Sequence, residues 1–453
     1  MRRNVGWVCA ISVASFGLRL GVAAASPDAA LEAQTEEEPS RVRVSVDYQW
    51  ELERSQLVRE SVGQPSSGPV GAIPVQRDLD SSHARHTITP RLELSLIPGV
   101  WLSAALPLVA ADDHSLSLHD GVDRATSSTL LDGLLPSDGF DAQNPTRGFA
   151  DGDMLFRSRR RRGLDQVFAG AGVALMDQAR DPHKPTWVLG AEVGLAVGQV
   201  AKFDAMEPSA NEGVGRGVHE LHLWTSVARR SARLETTFGI GWRAPFATKS
   251  DSPFRDLGYG ITNVLPQQEA ELTFSLAATA LDRPAAHRRI DVRAGARVKA
   301  HFEGRGYSEL WEVFALAGDA RVDGAPLILD RDPVTADTQA LSHPGITNLE
   351  NSLDLGANLG VQAKLGAHVE LALTAEVVWK TDHAITFADA GIDLPTCAAG
   401  QTTGCELANN DLIDAGTEEE NPAFVSRIDL VGHRYRSTEG FGAVLGVRLG
   451  GSF

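Results

Sequence analysis

The sequence predicts an all-β protein, a transmembrane antiparallel up-and-down β-barrel of about twelve strands. Three observations predict it: apolar and polar residues alternate in many segments, several segments span ten or more residues, and the connections between them are alternately short and long. Alternation places apolar side chains on one face of a strand and polar side chains on the other. A tilted strand needs about 9–11 residues to cross a bilayer, roughly twice the usual strand length in soluble proteins.

The first alternating segment shows the pattern clearly. From Val42 to Leu52 the even-numbered residues are apolar or aromatic, and from Arg43 to Glu53 the odd-numbered residues are polar or charged. Twelve segments alternate in this way, and an even number suits a closed up-and-down barrel. They are residues 42–52, 88–96, 102–108, 167–175, 187–197, 221–227, 234–246, 272–278, 290–302, 353–361, 369–379 and 443–453.

The connections fall into two length classes that take turns along the chain. The short ones are residues 97–100, 179–185, 229–232, 282–287 and 365–368. The long ones are residues 54–83, 113–150, 200–217, 247–268, 304–346 and 383–438. This order places short turns on one rim of the barrel and long loops on the other, with both chain ends on the short-turn rim.

The N-terminus has the features of a secretory signal. Arg2 and Arg3 form a basic start, residues 5–22 are largely apolar, and small residues lead up to Ala25. We expect a signal peptide at 1–25, an acidic flexible leader at 26–40 and a single barrel domain at 41–453. No later stretch reaches about 18 apolar residues, so a closed barrel is the remaining way to cross a bilayer.

The apolar faces carry aromatic residues towards several of their ends, where they would lie at a membrane interface. These residues are Trp50, Trp242, Phe246, Phe302 and Trp379. The last twelve residues, 442–453, alternate and end in Phe453. With these features the chain resembles bacterial outer-membrane β-barrel proteins of the porin-like kind. The resemblance implies short periplasmic turns, long extracellular loops, and recognition of Phe453 by the barrel-assembly machinery.

Two segments fit the twelve-strand pattern less well. Residues 157–162 carry five arginines on both faces, so we expect a strand extension above the membrane rather than a spanning strand. Residues 307–316 alternate poorly and are a candidate further strand; if both segments crossed the membrane, the count would be fourteen. The five arginines are also candidate lipopolysaccharide contacts, because guanidinium groups bind phosphates as bidentate donors. They are Arg157, Arg159, Arg160, Arg161 and Arg162.

The polar faces are rich in charge of both signs. The lumen-facing candidates are Arg289, Asp291, Arg293, Arg297, Lys299, Glu192, Glu220, Arg243, Glu271, Asp354, Glu370, Glu376 and Arg448. One interpretation is a polar pore with charged walls; the other is that these groups pair across the lumen and plug it, since about twelve strands lie between filled small barrels and open porins. The four basic residues from Arg289 to Lys299 are either an anion-attracting strip or partners of Glu271 and Asp291.

Few residues suggest other chemistry. Cys397 and Cys405 close a short polar loop, which in an exported protein favours a disulfide over a metal site. His219 and His222 point to opposite faces of a strand, and the chain lacks a Gly-x-Ser-x-Gly elbow, so we expect no enzyme. We expect no metal and no cofactor. The net charge of −17 argues against nucleic acid as a partner, because phosphate contacts need a basic surface.

Two functions follow from this reading. The first is a porin-like channel in the bacterial outer membrane, surrounded by lipid and lipopolysaccharide, that passes small hydrophilic solutes. The alternative is a non-conducting structural or surface-binding barrel that acts through its long extracellular loops. The sequence identifies no solute.

Overall fold

A computed structural model describes residues 42–61, 73–149, 151–254, 266–330, 340–387 and 424–453. Within these residues, twelve antiparallel strand positions form one closed barrel, which confirms the predicted fold class and count. The alternative count of fourteen is wrong. The predicted signal peptide and leader, and both Cys397 and Cys405, lie outside the described residues.

The barrel wall consists of long strands in chain order. They are β1 (Val42–Glu60), β2 (Val75–Ile97), β3 (Val100–Ala105) with β4 (Leu108–Leu118), β8 (Gln166–Met176), β9 (Thr186–Ala196), β10 (Val218–Ser231), β11 (Leu234–Thr248), β12 (Glu269–Arg283), β13 (Arg288–His301), β18 (Ser352–Leu365), β19 (Val369–Lys380) and β21 (Tyr435–Ser452). The third position is divided into β3 and β4 at Leu106 and Pro107. Proline lacks the N–H that would continue the hydrogen-bonded ladder.

Shorter elements lie in the long connections. The strands are β5 (Phe140–Asp141), β6 (Met154–Arg157), β7 (Arg161–Leu164), β14 (Gly304–Gly306), β15 (Leu329–Asp330), β16 (Ala340–Leu341), β17 (Thr347–Leu349) and β20 (His383–Thr386). The helices are α1 (Ser128–Leu131), α2 (Trp311–Ala317) and α3 (Ser426–Asp429), with 3₁₀ turns at Pro208–Ala210 and Pro284–Ala286. Within the described ranges, no helix is long and apolar enough to span a membrane.

The sheet closes where the last strand meets the first. β1 pairs with β2 on one side and with β21 on the other. The Val42 N–H donates to the Phe453 carbonyl at 3.1 Å, and the Phe453 N–H donates to the Val42 carbonyl at 2.8 Å. Both ends of the barrel therefore lie on the rim that carries the short turns, as the connection lengths predict.

The outer face of the barrel is an apolar belt. Side chains such as Val46 on β1, Ile240 on β11 and Phe274 on β12 are exposed on this face. Their sequence neighbours on the same strands point to the inner face, which is mostly polar and buried. A closed barrel leaves no unpaired strand edge, and an exposed apolar belt on such a barrel suits a lipid environment.

β1, β2 and β4 continue well past this belt, and their side-chain pattern inverts there. Arg54 is exposed on the outer face, whereas Leu57 on β1, Leu79 on β2 and Leu116 on β4 are fully buried on the inner face. Residues 54–60, 75–83 and 113–118 were expected to be loop, and that expectation is wrong. In these segments apolar side chains such as Leu57 lie on the inner face, and exposed polar side chains such as Arg54 lie on the outer face.

The long connection between β13 and β18 enters the barrel. Its helix α2 is buried from Glu312 to Ala317, so the alternative of a further strand over residues 307–316 is wrong. Leu310, Val313, Phe314 and Ala317 lie one and two turns apart and pack into an apolar cluster with the inverted strand ends. We call this cluster the upper core; its further members include Leu134, Leu155, Phe156, Leu327, Leu349, Ile385, Phe387, Ile428 and Tyr435.

The arginine-rich segment forms a wall extension. β6 pairs with β4 from Ser115 to Ser117, and β7 pairs with β4 from Leu108 to Asp112. The segment therefore continues the sheet beside the upper part of β4, as the sequence indicates, and it does not add a spanning strand.

Candidate functional site in the barrel interior

A cavity of about 150 Å³ lies inside the barrel beneath α2. Its lining includes Glu269 at the start of β12, His301 at the end of β13 and Lys380 at the end of β19. These strand ends lead into the long connections, so the cavity occupies the half of the barrel nearest the long-connection rim. Six carboxylates, five arginine or lysine side chains and four histidines contribute to the lining.

One wall of the cavity is a charged cluster on β1, β2 and β4. His83 lies between two carboxylates: its Nε2 contacts Asp112, and its Nδ1 is 3.6 Å from Glu53 Oε2. Arg85 donates to Asp112 at 3.1 Å, and Lys380 donates to Glu53 at 2.9 Å. The cluster is internally neutralised by these contacts.

A second wall is built by β12, β13 and β18. His301 Nε2 is 3.0 Å from Asp354 Oδ2, and its Nδ1 is 3.3 Å from Glu269 Oε1. Lys299 donates to Glu269 at 3.2 Å, and Arg243 lies 4.0 Å from the same carboxylate. Three sequence candidates, Lys299, Arg243 and Asp354, are thus brought together around a histidine.

The roof of the cavity is the inserted connection. Arg161 donates to Glu312 at 2.7 Å and stacks over the Trp311 ring with its guanidinium 4.8 Å from the ring centroid. Tyr307 packs edge-on against Trp311 at 4.8 Å. Burial raises the pKa of Glu312 in spite of the Arg161 charge beside it. The roof therefore combines an aromatic surface with one buried ion pair.

Glu309 fixes the roof to the wall. It accepts hydrogen bonds from Ser437 Oγ at 2.6 Å and from Ser55 Oγ at 3.2 Å. Burial works against its ionisation, but the charge of His383 and the Ser437 hydroxyl lower its pKa to about 2. An ionised Glu309 thus holds the inserted segment against β1 and β21.

The remaining lumen-facing candidates pair nearer the short-turn rim or along the wall. Arg297 contacts Glu376 at 2.8 Å and Glu271 at 3.5 Å. Arg289 contacts Asp291 at 2.7 Å. The other pairs are Arg448 with Asp47, Glu192 with Arg91, Glu220 with Arg216, and Glu370 with Gln362; Arg293 also has a partner. Arg289, Arg297 and Lys299, the members of the basic strip with measured contacts, each lie beside a carboxylate.

Two tryptophans fill part of the lumen towards the short-turn rim. Trp101 pairs in register with Gly172, Gly172 with Gly190, and Gly190 with Trp224. A Cβ atom on Gly172 would lie 2.0 Å from the Trp101 ring, and one on Gly190 would lie 2.2 Å from the Trp224 ring. The rings lie 6.3 Å apart and are almost fully buried. The two glycines therefore admit a pair of indole rings against the wall, which we call the tryptophan pair.

The five arginines of the wall extension separate into two groups. Arg161 is buried in the cavity roof, so any lipopolysaccharide site on this segment would exclude it. Arg157 contacts Asp141, Arg159 and Arg162 share Glu212, and Arg160 contacts Asp113 on the outer face. Arg160 and Arg162 keep most of their side-chain surface exposed.

The cavity residues that the sequence analysis missed lie mainly in the inverted strand ends and in the inserted segment. His83 falls in residues taken as loop, Arg85 and Asp112 fall between the expected strands and loops, and Glu309 and Glu312 fall in the segment taken as a possible strand. Continuing the alternation of β2 back from Ile88 with unchanged phase would have located His83 and Arg85, whereas a register shift in β4 conceals Asp112. A helical spacing of apolar residues from Leu310 to Ala317 would have located α2.

Comparison with known proteins finds similar solved structures at low sequence identity. No protein-family model matches the chain, and no curated protein matches it. An outer-membrane channel from Pseudomonas putida F1 is 10% identical with a TM-score of 0.35, covering 92% of this chain and 98% of that one. A FadL homologue from Pseudomonas aeruginosa is 8% identical with a TM-score of 0.34, covering 94% of each chain.

A third similar structure is the outer-membrane protease OmpT from Escherichia coli, at 7% identity and a TM-score of 0.27, covering 91% of this chain and 97% of that one. Similarity at this level assigns no activity, and the fold is established by the chain's own strand pairing. A closed antiparallel barrel of twelve strand positions with an apolar outer belt, counted over the described residues, is the architecture of a membrane-spanning β-barrel.

Proposed function

We propose that the protein is a gated channel for small hydrophilic solutes. The observation that supports this proposal is the charged cavity inside the barrel, which lies between the upper core on one side and the tryptophan pair on the other. Ionisable groups are costly to bury, and in a membrane protein they usually line a pathway or a polar cavity. The tryptophan pair would be the lower gate that closes this pathway.

Conductance of the purified protein in planar bilayers tests this function. We expect the wild type to be mostly closed, and the double variant Trp101→Ala/Trp224→Ala to conduct several-fold more ions because its lower gate is removed. The outward-facing pair Trp187→Ala/Trp379→Ala is the matched control and should leave conductance unchanged. A correctly folded gate variant that neither conducts nor admits solutes into liposomes would refute the proposal.

A second candidate is the non-conducting barrel that acts through its loops. The filling of the interior by the upper core favours it, because no open bore is needed for surface binding. This alternative would be supported if Trp101→Ala/Trp224→Ala did not conduct and if loop deletions abolished binding without unfolding the barrel.

Partners outside the barrel stay predictions. Lipopolysaccharide binding by Arg157, Arg159, Arg160 and Arg162 is tested by changing these four residues to Gln, which should weaken binding to lipid A phosphates. Recognition of Phe453 by the barrel-assembly machinery is tested by deleting that residue and measuring assembly. The absence of enzymatic activity likewise stays a prediction.

A further inference from the structure

The cavity beneath α2 presents open hydrogen-bonding atoms. Gln267 Oε1 and His114 Nδ1 are buried atoms of its lining side chains, and neither has a hydrogen-bond partner among the described residues. Gln267 is only 8% exposed, and its amide nitrogen donates to the Leu349 carbonyl at 3.2 Å. That bond fixes the side chain and leaves the oxygen open. Buried polar atoms normally have partners, so a ligand is a reasonable source of them.

The open atoms differ in their hydrogen-bonding roles. Gln267 Oε1 only accepts, and His114 Nδ1 accepts or donates according to its tautomer. A carboxylate ligand cannot donate to Gln267 Oε1. A hydroxyl group both donates and accepts, so one ligand with several hydroxyls suits both positions in either tautomer of His114.

The charges of the lining favour a neutral ligand. Arg161 lies beside Glu312, Arg85 beside Asp112, and Lys380 beside Glu53. A charged solute would enter a region whose charges already compensate one another, and it would lose its hydration without gaining an uncompensated counter-charge. A neutral polar solute avoids that cost.

The volume of the cavity and the aromatic side chains in its roof limit the size and the surface of the ligand. A cavity of about 150 Å³ admits a six-membered ring, as an apolar cavity of similar volume does in another protein. The Tyr307 and Trp311 rings in the roof offer an apolar surface to the C–H groups of such a ring.

We infer that the cavity binds a neutral polyhydroxylated solute of about one six-membered ring, a monosaccharide-sized molecule. This inference names the solute class for the channel proposed above and rests on that proposed function. Gln267 and His114 supply the polar contacts, and Trp311 supplies the apolar one.

Isothermal titration of the purified full chain with glucose tests the site directly. Glucosamine and gluconate are probes of similar size that carry one positive or one negative charge. We expect glucose to bind at least about tenfold more tightly than either charged probe. We expect Gln267→Leu and Trp311→Leu each to weaken glucose binding about tenfold.

Two control variants separate the site from general effects on folding. Gln166→Leu removes another buried amide whose oxygen is also without a partner but which does not line the cavity, and Trp379→Leu removes an exposed outer tryptophan. Both should bind glucose like the wild type. The inference is overturned if no heat of binding appears at about 100 mM glucose, or if a charged probe binds as tightly. If glucose does not bind but Trp101→Ala/Trp224→Ala conducts, only the solute class is refuted and the channel function holds. If that variant does not conduct either, the channel function is refuted as well.

Discussion

The lower and upper parts of β1, β2 and β4 carry opposite patterns on the same strands. Within the apolar belt, Val46 points outwards and Arg91 points into the barrel. Above the belt, Arg54 points outwards while Leu57 and Leu79 are buried inside. In β1 the pairing with β2 keeps one register from Val46 to Leu57, so the inversion there is a property of the side chains alone. In β4 a register shift after Val109 also changes which residues face inwards.

The difference follows from what lies outside the wall. In the belt the outer surroundings are apolar, so the polar side chains face inwards, where they form ion pairs. Above the belt the outer surroundings are water, so the strands behave like those of a soluble protein and bury their apolar side chains around α2. The molecule therefore combines a membrane barrel with a soluble-type core stacked on it.

The largest expected effect is a loss of stability in the upper core that the membrane belt does not share. Phe314 is fully buried against Phe387 and Tyr435, with ring centroids 5.1 and 5.9 Å away. Phe314→Ala should lower the stability of the upper core by about 3–5 kcal/mol, through lost burial and a residual cavity. Phe274→Ala, on the lipid side of β12, is the control. Limited proteolysis and thermal unfolding in detergent measure both, and equal sensitivity would deny that the upper core is a separate packed unit.

The buried ion pair of the roof gives a second test. Arg161 and Glu312 are both almost fully buried. Glu312→Leu should cost about 3–5 kcal/mol, because it leaves the Arg161 guanidinium buried without its counter-charge. The double variant Arg161→Met/Glu312→Leu should recover most of that loss. If the double variant were as unstable as the single one, the pair would be essential for packing rather than for charge balance.

The sequence determined the membrane part of the fold better than the upper part. Residues 42–52 and 290–302 alternate with one phase over the whole belt. The strand assignment and the side of the sheet to which each side chain points therefore follow directly from the sequence. Beyond Leu52 the phase inverts, and a search for apolar outer faces ends the strand too early. The cavity was out of reach for a further reason: it joins Glu53, Lys380 and Glu312, which are far apart in sequence and meet only through closure of the barrel and insertion of α2.

A charged side chain should destabilise the protein at a lipid-facing position but not at an outer position above the belt. Ile240 lies near the middle of β11 on the outer face, and Arg54 lies on the outer face of β1 above the belt. Ile240→Arg should cost about 2–4 kcal/mol, since an arginine near the bilayer midplane loses its hydration. Arg54→Leu should change stability by less than about 0.5 kcal/mol. Equilibrium unfolding in phospholipid vesicles measures both; a cost at Ile240 no larger than at Arg54 would contradict the placement of the belt.

The smallest expected effect is a pH dependence confined to the upper core. His343 is buried, packs at a tilt against the Phe387 ring with ring centroids 4.1 Å apart, and accepts a hydrogen bond from the Gly345 N–H at 2.9 Å. Burial, aided by the charge of Arg305, lowers the pKa of His343 from its ordinary value of 6.5 to about 3.

The folded state therefore favours neutral His343, and its contribution to stability is complete above pH 6.5 and falls as the pH drops towards 3. The loss should be on the order of 1 kcal/mol for each pH unit in that window. His343→Phe keeps a ring at this position and removes the titration, so its upper core should lose less stability between pH 7 and pH 5 than that of the wild type. Proteolysis of the upper core at both pH values measures the difference, and an unchanged pH dependence in His343→Phe would show that other groups control it.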